Sequence, residues 1–321
     1  MGSERTPWHP DPRLADPLIA LLGTLALLLA WLGMLSQRVA AQAASSADPL
    51  QEALKRLPPG PGVALLGYGI QALFWGGLAF ALLLLAQRKE PRPPTPAWGM
   101  SGRAVALVFL GWFIGYVVLS TLVGSALARL NSGRALSVPL GYALHASLGA
   151  WMLMRAEGLS FQELRARVMP GPAGRQWAWT PAFLALAVFA VMAAALLSAP
   201  LLRHQGNPQA QLQDLLRSAK GFWMPMLLLF TVSVLAPLFE ELMFRGFLLP
   251  WLGARWGWGR GLLVSSLLFG FIHLQPAGLP TLMALGFALG LALWRTGSLR
   301  ASVLVHAIWN GSLFMLLRAA G

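Results

Sequence analysis

A succession of apolar runs near the ~20 residues that a helix needs to cross a bilayer constrains this chain more than any other feature. They fall at 17–35, 63–86, 104–127, 138–154, 177–202 and 222–251, with three shorter ones near 261–274, 281–294 and 299–317. Hydrophobic residues make up 57% of the sequence and charged residues only 11%, a balance that excludes the soluble globular class. The expected fold is therefore an all-α, polytopic transmembrane helical bundle of about eight or nine spans, with no internal repeat. The lower count applies if the first run is removed or if two of the short runs form one re-entrant unit.

The connections between these runs are polar. Lys89 to Pro96 is a basic, proline-rich linker, and Ser160 and Glu163 stand at capping-box spacing, which predicts a short amphipathic helix at the membrane interface. A second surface helix is expected between Asn207 and Lys220. The first run precedes Val39-Ala40-Ala41-Gln42-Ala43, a cleavage-like signature, yet Glu4, Asp11 and Asp16 replace a basic leader, so the run reads as a retained span.

Net charge is +13. The basic residues are spread over short connections with no basic stripe or base-stacking module, which argues against nucleic acid and for membrane-flanking charge. The larger share of the 24 Lys and Arg residues falls on the side of the N-terminus, predicting a cytoplasmic N-terminus in a plasma (inner) membrane protein. Cysteine is absent, which excludes disulfides, thiolate nucleophiles and Cys-ligated metal sites.

Against this apolar background, Glu240, Glu241 and Arg245 stand in one spanning run, whereas the other acids read as lying in tails or connections. A charge at bilayer depth costs about 2.5–3.5 kcal/mol on insertion scales, so the pair must be used or satisfied. Glu241 and Arg245 are at i,i+4 with the acid first, the favoured order for a helical ion pair. Glu240, about 100° further round, is left to face elsewhere.

His273, His306 and Asn310 are further polar positions in lipid-compatible sequence. Counting back from a turn between Trp251 and Gly261, Glu240 and His273 each lie roughly 17 Å deep at 1.5 Å per residue. Asn310, about 11 residues into the last run, reaches the same depth, with His306 one turn shallower. Pro237 removes a helical hydrogen bond just before the acids, loosening the helix there.

Such a layer supports hydrolysis. A carboxylate stripped of water is a better general base toward a water molecule, and His or Asn can donate to an oxyanion. Glu240, His273 and His306 can equally ligate one divalent metal such as zinc, and the residue types do not separate the two chemistries. His145 has no acidic companion and reads as structural. Ser101 with His145 is a weak serine-dyad signal at the edge of a linker, and no H-E-x-x-H occurs.

Glu240-Glu241-x-x-x-Arg245, Phe269-x-x-x-His273 and His306-x-x-x-Asn310, in that order on successive apolar runs, resemble the three motifs of the CPBP family, which contains the CAAX-box proteases and the Abi bacteriocin-immunity proteins. The resemblance covers about residues 180–318. It implies an intramembrane endopeptidase acting on a membrane-embedded or lipidated protein substrate. In that reading Glu240 and His273 activate water, while His306 and Asn310 stabilise the oxyanion and Glu241 and Arg245 support them. Family members are described both as metal-dependent and as glutamate-type, so the cofactor is either none or one divalent metal. Residues 176–321 would form the catalytic core, and 1–175 an N-terminal part that selects substrate. The rival expectations are a non-proteolytic immunity or scaffold protein and a proton-coupled carrier using the same polar layer.

Overall fold

The computed structural model describes residues 7–43, 61–86, 98–130, 133–170, 177–202 and 210–320. The 89–96 linker, His204 and Asn207 lie outside the described residues.

Every apolar run forms a helix: α1 (Pro12–Ala43), α2 (Pro61–Ala86), α3 (Gly102–Leu127), α4 (Gly133–Glu157), α6 (Thr180–Leu202), α8 (Trp223–Trp256), α9 (Trp258–Phe271), α10 (Leu279–Thr296) and α11 (Leu299–Ala320). Two short helices, α5 (Phe161–Val168) and α7 (Ala210–Ser218), lie in connections. Among the described residues seven of these helices are long and apolar enough to cross a membrane. The two that fall short of that measure are α4, diluted by Pro139, His145 and Arg155, and α9, only 14 residues long. The molecule is thus an all-α, polytopic helical bundle.

Packing puts α8 at the centre. Half of its span is buried against protein, compared with 6% for α2, whose outward side chains are apolar and suited to lipid. Around α8 stand α4, α9, α10 and α11, while α1 packs on α3 and α2 on α6. Gly77 and Gly149 allow two of the close approaches. A Cβ at Gly77 would meet the Ala185 backbone, and one at Gly149 would lie 2.5 Å from Phe239 and 2.8 Å from Trp112. One apolar core runs through both halves of the chain, joining Val105, Trp112 and Phe113 to Phe239, Phe244 and Phe247.

The turn between α8 and α9 is at Gly257, whose φ of 83° only glycine adopts without strain. It lies in the middle of the expected stretch, so both helices extend beyond the predicted Trp251 and Gly261 limits, and Glu240 and His273 stay nearly level.

Two of the acids expected in tails or connections are placed differently. Asp16 is inside α1 and pairs with Arg103 at 2.6 Å. Glu157 ends α4 buried, because the Met100 N–H (2.8 Å) and the Arg167 guanidinium (3.1 Å) satisfy its carboxylate. The segment 98–101 is tied to α8 through Trp98 Nε1, which donates to the Gly246 carbonyl at 2.9 Å, and Trp251 Nε1, which donates to the Met100 carbonyl at 3.0 Å. The capping box is present on α5: Ser160 N donates to Glu163 Oε2 at 2.7 Å and Glu163 N to Ser160 Oγ at 3.3 Å.

Candidate active site

α8 is not a uniform helix. π-helical turns at Thr231–Leu235 and Leu242–Leu248 bracket a short α segment, Ala236–Glu241, which carries both acids. Turns of this kind are uncommon and recur at functional sites.

Glu241 and Arg245 form a fully buried pair, Nη1 to Oε1 at 2.8 Å. The guanidinium lies over the Phe269 ring, 4.1 Å from its centroid, and against Gly286, where a Cβ would come within 3.0 Å of Nη2. The same Glu241 oxygen also accepts from His306 Nδ1 at 3.0 Å. Glu241 therefore does more than neutralise Arg245, since it also fixes the first imidazole of the layer.

Glu240 points the other way. Its Oε1 accepts a hydrogen bond from the Tyr142 hydroxyl at 2.8 Å, and its Oε2 lies 4.0 Å from His273 Nε2 and 3.8 Å from His306 Nε2. Both separations are too long for a direct hydrogen bond and of the length that one bridging water spans. His273 Nδ1 donates to the Phe269 carbonyl at 2.7 Å. Because a carbonyl and a carboxylate only accept, both Nδ1 atoms carry hydrogen, and in the neutral rings both Nε2 atoms are acceptors. Three acceptors then face one point. Such a site is stable only with a donor or a positive charge among them.

The fixed charges agree with that requirement. Two carboxylates and one guanidinium leave one negative charge in the layer, which a single added proton neutralises. The side chains of Glu240 and His306 are 6% and 2% exposed, whereas that of His273 is 26% exposed, so access to the layer is from the His273 side. There α9 stops short of a full span, and Leu274 turns the chain with φ of 55°, a strained conformation for a non-glycine residue.

Asn310 lies further along α11, and its Nδ2 donates to the Val232 carbonyl at 3.0 Å. The reason is local. Ala236 N–H bonds five residues back to the Thr231 carbonyl, so in the same register the Val232 carbonyl would be matched by residue 237, a proline with no N–H. The bond loosened by Pro237 is thus taken up by Asn310, which leaves the amide one further N–H.

As a metal set, Glu240, His273 and His306 have the right donor types. Ligand bonds of about 2.0–2.1 Å in a tetrahedron put donors about 3.4 Å apart, less than the separations from Glu240. Among the described residues no group of three or more His, Asp or Glu is arranged to hold an ion. Ser101 and His145 are occupied separately, Ser101 Oγ capping α3 by accepting from Ala104 N and His145 Nδ1 bonding to the Gly141 carbonyl. Tyr142 is the contact that the sequence reading missed. A lone tyrosine in a proline-containing run carries no local signal.

Residues 222–312 match the family model described as Type II CAAX prenyl endopeptidase Rce1-like. Over that stretch the chain is similar to the CAAX-protease family. A curated protein of Escherichia coli, described as an uncharacterized 24.3 kDa protein, is 41% identical over 85 residues, which is 25% of this chain and 39% of that protein. No solved structure matches. The family-matched stretch holds Glu240, Glu241, Arg245, His273, His306 and Asn310, whereas Tyr142 lies outside it.

Proposed function

We propose that this protein is an intramembrane endopeptidase of the plasma (inner) membrane, with a cytoplasmic N-terminus. It cleaves a peptide bond in a membrane-associated, lipidated substrate. The observation that carries the reading is the approach of Glu240 Oε2 to the Nε2 atoms of His273 and His306 in a buried layer. The family match supports the reaction class and the prenylated substrate.

In the reaction, a water between Glu240 Oε2 and His273 Nε2 gives a proton to Glu240 as its oxygen attacks the scissile carbonyl. His306, with a proton on Nε2 as well as on Nδ1, donates to the oxyanion, and Glu241 offsets its charge. The free N–H of Asn310 supplies the second donor. Glu240 then returns its proton to the leaving amine, and the products are a carboxylic acid and an amine, which exchange a proton to become carboxylate and ammonium. No step requires a metal.

The test compares membrane-protein fragments in cells making wild type, Glu240→Gln, His273→Ala or His306→Ala at equal levels. Each variant should be inserted yet lack the cleavage products, a loss of at least about a thousandfold. Retention of full cleavage by all three would make the layer structural, as in a scaffold or immunity protein.

A further inference from the structure

We propose that Tyr142 is a positioning residue for Glu240, so that α4, outside the family-matched stretch, supplies a working part of the site; this rests on the endopeptidase reading. A carboxylate at the end of a two-carbon stem has freedom to turn, and a general base must present one oxygen in a fixed direction. The Tyr142 hydroxyl, 2.8 Å from Oε1, engages one oxygen and leaves Oε2, which has no other hydrogen-bond partner, toward the two imidazoles.

The tyrosine is itself held. Its ring packs on His145 with centroids 4.6 Å apart, and His145 is enclosed by Tyr116 at 4.7 Å and Phe239 at 5.6 Å. The His145 ring is fixed in turn by its 2.8 Å bond to the Gly141 carbonyl. Gly149, two turns beyond Tyr142 on α4, lets this helix close onto Phe239, the neighbour of Glu240. His145, which reads as merely structural in the sequence, is thus the wedge that orients the tyrosine. The groups facing Glu240 are Tyr142 from α4, His273 from α9 and His306 from α11, while Tyr116 from α3 packs on His145. Of these, the Tyr142 hydroxyl donates a hydrogen bond to Glu240 at 2.8 Å, whereas the two imidazole Nε2 atoms stand 3.8 and 4.0 Å away.

The experiment uses full-length protein in liposomes and a quenched fluorescent peptide ending in a prenylated cysteine and three further residues. Tyr142→Phe, which keeps the ring, should lower kcat about tenfold or more while KM stays within about twofold. The infrared carboxyl bands of Glu240, identified by their loss in Glu240→Gln, should shift in Tyr142→Phe. Tyr116→Phe should move neither quantity. A Tyr142→Phe enzyme with unchanged kcat or an unshifted Glu240 band overturns the proposal, as does an equal fall in Tyr116→Phe, which would mark simple packing. Cleavage by Glu240→Gln at the wild-type rate is a separate result: it removes the endopeptidase reading and the proposal together.

Discussion

Glu241 Oε1 accepts from both Arg245 and His306, which makes this carboxylate the joint between charge neutralisation and the histidine layer. Breaking a buried pair on one side leaves an uncompensated charge, at a cost of about 3–5 kcal/mol. Arg245→Leu should therefore lower stability by that amount in an unfolding titration of detergent-solubilised protein, whereas Arg245→Leu combined with Glu241→Leu should recover much of it. Equal stability of wild type and Arg245→Leu would mean that the pair is not buried as described. The sequence indicated the pair through its i,i+4 spacing. It did not indicate the second bond of Glu241, because the His306 contact depends on how α11 is rotated against α8.

At the scale of elements, the π-helical turn and Pro237 explain what Asn310 does to the fold. Removing its amide leaves the Val232 carbonyl unsatisfied, so Asn310→Ala should cost about 1–3 kcal/mol. Pro237→Ala restores an N–H at residue 237, and in that background the same substitution should cost clearly less. A double-mutant cycle with no coupling would contradict this account. Helix content and the common depth of Glu240 and His273 were legible from run lengths and the 1.5 Å rise. The π-helical turns were not, since they shift the phase of α8 without any change in its apolar pattern. Tyr142 was not legible either: its role depends on Gly149 letting α4 close on α8, a contact between segments nearly a hundred residues apart.

Across the whole molecule, α3, α4 and α8 share one apolar core, and Tyr142 of α4 reaches Glu240 of α8. The two ends of the bundle should lie on opposite sides of the membrane. Because the chain has no cysteine, single replacements give a clean map. Gln162→Cys, in exposed α5 on the side of the N-terminus, should react with an impermeant thiol reagent only from the cytoplasmic face, and Lys220→Cys only from the other. Labelling of both from one face would overturn the topology. The central claim is that Glu240 activates water beside His273 and His306. Its most direct test is release of the C-terminal peptide from a prenylated probe by purified wild-type and Glu240→Gln protein in matched liposomes. The account predicts steady release by wild type and none above background by a Glu240→Gln protein of equal stability; release at the same rate by both would contradict it.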